Sequence, residues 1–194
     1  EMCIRDSNII DADVDNVNIN TENGFIESVS AGDDVYSADF WIDATGFAKV
    51  LMKALGNTEW ESYSKYLLVN SATPFPTPPD PSGEIRPYTR ARAASSGWLW
   101  EIPTQSRRGN GYVYSSSHIS DDAALNEAEV MSGYAVENPR FIRFDAGFTK
   151  YQWFKNCVAM GLSSSFVEPL EATSISTAIQ QSRLLCTFLG QYSP

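Results

Sequence analysis

A chain of 194 residues with 43% hydrophobic and 20% charged residues can bury a sizeable core and reads as one globular polypeptide. Its 14 basic and 24 acidic residues leave a net charge of −10, a field that repels polyanions and excludes nucleic acid as a partner. No apolar run approaches the roughly 20 residues of a membrane span, and residues 1–7 lack the apolar stretch of a secretory signal. Cys3, Cys157 and Cys186 form no Cys-x-x-Cys pair, so neither a disulfide framework nor a zinc site is indicated. His118 is the single histidine, which rules out histidine-rich metal sites; a structural or solvent role suits it better than a triad.

In chain order, residues 8–47 read as a β-meander. Ile9, Ile10, Val14, Val17 and Ile19 precede Thr21-Glu22-Asn23-Gly24, where Asn-Gly predicts a hairpin because both residues tolerate positive φ. Residues 25–29 form the return strand, and residues 38–43 read as a buried sheet strand. A short helix is predicted over 47–55, stopped by Gly56. The proline density of residues 72–87 predicts a loop or extended strap. Residues 97–103 and 111–117 form a hairpin around residues 108–111, followed by a helix over 121–134 capped by Ser120. Short strands follow at 140–144 and 157–161. Ile175, Ala178, Ile179, Leu185 and Leu189 then recur at helical spacing over 173–189.

Three runs carry chemistry. The strand ending in Asp43-Ala44-Thr45-Gly46 closes on a glycine, which either simply turns the chain or lets a ligand approach the backbone. In Trp98-Leu99-Trp100-Glu101-Ile102-Pro103, residues two apart share a face of a strand, so the two indoles stand side by side, as core or as a site wall. Residues 153–175 read as a short strand ending at Gly161, a loop of small hydroxyl residues, and a helix opened by Thr173-Ser174. Free N–H groups at such a helix start can hold an anion, either a halide or a cofactor phosphate. Glu171, just before it, reads alone as an acid favoured by the helix dipole, or with Glu168 as an exposed acidic pair. On spacing alone, Leu162 and Ile175 are core residues.

These runs together resemble the flavin-dependent halogenases of the tryptophan-halogenase type. The resemblance implies an α/β (mixed α+β) fold, a piece of an FAD-binding, flavin-monooxygenase-like domain with a β-rich substrate layer. Residues 8–47 and 141–190 would lie on the FAD side, and 48–140 would be the inserted layer with the tryptophan hairpin. It implies that Asp43, Gly46, Gly161, Leu162 and Ile175 lie against FAD. The amides of Thr173 and Ser174 would hold chloride or bromide, and Glu171 would be catalytic. Trp98, Trp100, Ile102 and Pro103 would stand near the flavin and keep the enzyme from acting as an oxygenase. Relatives often carry glycine where Ser174 stands and serine where Ala172 stands.

By the same resemblance, FADH2 comes from a separate flavin reductase, and O2 and halide are consumed. The substrate is a small aromatic molecule of the tryptophan or indole kind. No metal, membrane or nucleic acid takes part, the location is cytoplasmic, and a homodimer is allowed. The G-x-G-x-x-G loop and the catalytic lysine would precede this stretch, and a C-terminal region would follow it, so the 194 residues alone are expected to be inactive. An aromatic flavin monooxygenase and a non-catalytic flavoprotein remnant are the alternative readings.

Overall fold

The computed structural model describes residues 7–170 and 173–191. The chain divides into two compact units. One holds the chain up to Trp60, Thr149–Ser164 and the residues from Gln181 onward; the other holds Glu61–Phe148 and Ser165–Gln180.

In the first unit, β1 (Asn16–Ile19), β2 (Ile26–Ala31) and β3 (Asp34–Ser37) form an antiparallel meander. Val17 faces Val29 across the ladder. The turn between β1 and β2 is longer than the expected two-residue Asn-Gly hairpin. Only Gly24 takes a positive φ, and the Asn20 side chain closes the turn by accepting the amides of Glu22 and Asn23 at 2.9 and 3.2 Å. Ile9, Ile10 and Val14 stay outside the meander and exposed, because the ladder begins only at Asn16.

The same unit holds β12 (Trp153–Phe154), β13 (Cys157–Ala159) and β4 (Trp41–Asp43) in one sheet, with β13 and β4 parallel. Asn156 joins this sheet to the meander. Its carboxamide accepts from the Ile26 amide and donates to the Ile26 carbonyl, both at 2.9 Å. Cys157 and Ala159 point into a core with Ile26, Val29, Leu51 and Met52. Burial of apolar side chains of this size contributes about 1.5–3 kcal/mol each. Ile42, on the other face of β4, is 48% exposed, so this strand is not buried on both sides as its composition suggested.

The expected helix over 47–55 is split. Gly46–Ala48 forms a 3-10 turn, Lys49 takes a left-handed conformation, and α1 (Val50–Ala54) follows and stops before Gly56 at φ 78°.

The second unit is built on a five-stranded antiparallel sheet. Its order is β10 (Ile142–Arg143), β6 (Ser71–Thr77), β9 (Arg108–Tyr114), β8 (Gly97–Pro103) and β7 (Arg90–Ala94). Helix α2 (Asp121–Ser132), capped by Ser120, lays Ala124 and Ala128 on Phe75, Leu99, Tyr112 and Tyr114. The two tyrosine hydroxyls donate to Glu127 and Asp121 of that helix at 2.8 and 2.7 Å.

Two expectations change here. Residues 71–77 are strand despite Pro74 and Pro76. Prolines two apart lack N–H groups on the same strand edge, and β10 covers that edge only at Ser71 and Ala72. The ladder to β9 is therefore complete. The hairpin turn lies at residues 104–107, because Pro103 already pairs with Arg108 and Thr104 closes on the Arg107 carbonyl at 2.9 Å. Gly109 and Gly111 are strand residues, not turn residues.

A further small sheet joins β14 (Ser165–Phe166), β11 (Gly147–Thr149) and β5 (Trp60–Ser62). Helix α3 (Thr173–Gln191) is the last element. Among the described residues, no helix is long and apolar enough to cross a membrane.

Candidate functional site

The parallel pair β4–β13 sets up the first constellation. Ligands of open parallel sheets gather beyond the carboxyl ends of the strands. Both strands end there in glycine turns: Gly46 has φ 67° and Gly161 has φ 60°, and a Cβ on either would meet nothing within 4 Å. Both glycines are therefore required by backbone conformation, and both leave the backbone open to approach. That is a fit for a flat cofactor lying against the chain. Leu162, in the 3-10 turn Gly161–Ser163, is 36% exposed and is not a core residue.

Asp43 is fully buried and organises these turns from beneath. Its Oδ1 accepts from the Thr45 amide at 3.0 Å, the Thr45 hydroxyl at 2.6 Å and the Ser163 hydroxyl at 3.1 Å. Its Oδ2 accepts from the amides of Leu51 and Met52 at 3.0 and 2.9 Å, at the start of α1. Burial by itself would raise the Asp43 pKa, but the hydrogen bonds from Thr45, Met52 and Ser163 outweigh it and hold the carboxyl below its ordinary value. Both carboxylate oxygens are engaged inside the protein. Asp43 thus shapes the turn rather than reaching outward.

Two residues that the sequence did not single out complete this constellation. Ser163 Oγ also lies 3.0 Å from the Gly46 carbonyl, so its single proton is shared between that carbonyl and Asp43, and one hydroxyl sits between both glycine turns. Gln181 accepts from the Gly161 amide at 3.0 Å and donates to the Ser164 hydroxyl at 2.6 Å. A lone serine in a serine run and a polar residue on a helix give no signal of such pairing. The thiol of Cys157, adjacent in space, is pushed up to about 12 by burial and by the Asp43 charge, so it remains protonated and inert.

The second constellation belongs to the other unit. Leu99 turns into the core with α2, while Trp98 and Trp100 stand on the opposite face of the sheet, half-buried, with ring centroids 6.0 Å apart at 56°. The alternation read from the sequence is what the strand shows. Trp100 faces Gly111, and a Cβ there would overlap the indole. Ile102 is exposed and Pro103 half-buried at the hairpin end. Trp98 Nε1 donates to Glu168 at 3.2 Å, so Glu168 is half-buried and paired rather than half of an exposed acidic pair.

Thr173 and Ser174 open α3 and are half-buried, whereas Ile175 is 67% exposed and not core. Glu171 lies outside the described residues. His118 is bound locally: its Nδ1 lies 2.9 Å from the Ser115 hydroxyl, in a tight turn.

Open glycine turns at the ends of parallel strands, with a paired-indole strand in the other unit, define a mixed α/β domain whose backbone can take a ligand at close range. Comparison with known proteins makes this specific. The family model described as tryptophan halogenase matches residues 5–193, and the chain belongs to that family. It is 40% identical over 157 residues to tryptophan 7-halogenase RebH of Lentzea aerocolonigenes, covering 79% of this chain and 30% of that protein. It is 39% identical over 160 residues to tryptophan 7-halogenase KtzQ of Kutzneria sp., covering 81% of this chain and 28% of that one. The chain thus spans under a third of the length of these relatives. Among solved structures, BrvH, a flavin-dependent halogenase from Brevundimonas sp. BAL3, superposes with a TM-score of 0.85 at 36% identity. That match covers 92% of this chain and 37% of BrvH.

Proposed function

We propose that this chain supplies part of the flavin and halide machinery of an enzyme that chlorinates or brominates an aromatic, tryptophan- or indole-like substrate. The observation that carries this reading is the Trp98-x-Trp100-x-Ile102-Pro103 run, intact on one strand, with Trp98, Trp100 and Ile102 on the sheet face that α2 leaves open. When bound, FADH2 would reduce O2 and so provide the oxidising power that turns halide into an electrophilic halogen.

The residues of this chain would act around that chemistry. Gly46 and Gly161 let the backbone lie against the cofactor, with Leu162 as an apolar contact. Asp43 supports the first turn from below, and Ile175 is proposed as a further cofactor contact on α3. The amides of Thr173 and Ser174 would hold the halide, using donors that a helix start leaves free. Glu171 would orient the halogenating species and accept the proton that leaves the arene. Trp98, Trp100, Ile102 and Pro103 would stand near the flavin and help keep the enzyme from acting as an oxygenase. Residues 8–47 and 141–190 form the FAD side in this reading, supported by the parallel pairing of β4 with β13, and 48–140 form the inserted layer.

FADH2 would be delivered by a separate reductase, and a cytoplasmic location is proposed with it. The test is reconstitution of the full-length protein with FAD, a flavin reductase, chloride and tryptophan, with products read by mass spectrometry for chlorine's isotope pattern. A hydroxylated product would favour the monooxygenase alternative, and no product at all the remnant. Glu171→Gln should abolish most halogenation while flavin affinity stays close to the parent's; an unchanged rate would remove Glu171 from the mechanism.

A further inference from the structure

We propose that Glu168 is a positioning residue that aims the Trp98 indole, and through it the paired-indole face of β8. Seventy positions separate the two residues in sequence, yet Trp98 Nε1 donates to Glu168 Oε2 at 3.2 Å. The cross-strand neighbours of Trp98 are Val113 on β9 and Ala93 on β7, and neither side chain can accept a hydrogen bond. The carboxylate is thus what satisfies this N–H and fixes which way the ring turns.

Trp100 is held differently. It lies over Gly111, where the missing Cβ makes room for its ring. One indole is therefore set by shape and the other by a hydrogen bond, and the two restraints act on the tilted pair whose centroids lie 6.0 Å apart. Glu168 is also well placed to do this at low entropic cost. Pro169 follows it and restricts its backbone to extended conformations.

The catalytic consequence rests on the halogenase reading above; the hydrogen bond and its orienting role do not. The experiment uses the full-length protein. In its flavin-free form, labelled with 15N-tryptophan, the Trp98 indole resonance is identified by its loss in Trp98→Phe. Glu168→Leu should shift that resonance upfield toward the position of an unbonded indole. Glu168→Gln, which keeps an acceptor, should leave it near the parent's.

In turnover with FADH2, chloride and tryptophan, Glu168→Leu should lower the fraction of flavin oxidations that yield halogenated product about tenfold, the rest appearing as hydrogen peroxide. Glu168→Gln should recover most of it. In the Trp98→Phe background, Glu168→Leu should add nothing, since the residue it acts through is gone. An unmoved indole resonance, or losses that multiply in the double variant, would overturn the proposal. If the parent itself makes no halogenated product, the functional reading fails, while the resonance still decides the role of Glu168. Should Glu168→Leu not fold, benzothienylalanine at position 98 removes the N–H from the other partner, and the same peroxide leak is expected.

Discussion

At the scale of single residues, Asp43 shows how a buried charge can be held entirely by donors. Replacement by Asn keeps the size but must turn an NH2 group toward either Thr45 and Ser163 or the amides of Leu51 and Met52. We expect Asp43→Asn to cost about 2–4 kcal/mol in urea denaturation. The sign of its pH dependence follows from the lowered pKa. The stabilisation is complete above the ordinary carboxylate value of 3.8 and is lost as pH falls through the lower folded-state value. The stability gap between parent and Asp43→Asn should therefore narrow on acidification below about pH 4; a gap constant down to pH 2 would contradict this assignment. Thr73 makes the opposite case. Its hydroxyl is buried without a partner, on the sheet face that packs against α2. Thr73→Val is expected to be neutral or to stabilise by about 1 kcal/mol, and a loss of more than that would reveal a partner for the hydroxyl.

Among elements, β6 and α3 carry the most. Strand β6 accommodates two prolines because both face an edge that β10 covers only at its first residues. Helix α3 opens at Thr173 and Ser174. If their amides hold the halide, side chains matter less than N–H groups. Ser174→Gly should preserve the chloride dependence of halogenation in the full-length enzyme, and Ser174→Pro should weaken it, since proline has no N–H. Proline is tolerated in a first helical turn, so circular dichroism should show the fold intact. A folded Ser174→Pro variant with unchanged chloride dependence would clear that amide of the role. Farther along α3, Gln181 clamps the Gly161 turn, and Gln181→Leu should loosen it, visible as faster amide hydrogen exchange at Gly161.

At the scale of the molecule, the 194 residues contain no G-x-G-x-x-G turn, the usual cradle for a dinucleotide pyrophosphate. Expressed alone, they should bind FAD weakly or not at all in a fluorescence titration, despite the open turns at Gly46 and Gly161. Micromolar affinity would show that these turns suffice.

The amino-acid sequence was enough to read the local elements whose signals are short in range. Ser120 marks the start of α2, Gly56 stops α1, and the two-residue period places Trp98 and Trp100 on one face. It also determined the family, because the tryptophan run and residues 153–175 are continuous stretches. The folded chain, by contrast, set which distant groups meet. Asp43 with Ser163, Gln181 with Gly161, and Trp98 with Glu168 are pairings across long chain separations, and no periodicity encodes them. It also decided the fate of Pro74 and Pro76, for whether proline breaks a strand depends on whether a neighbour needs its N–H. Propensity is local, whereas a hydrogen-bond partner or an open edge exists only once the chain has folded around it.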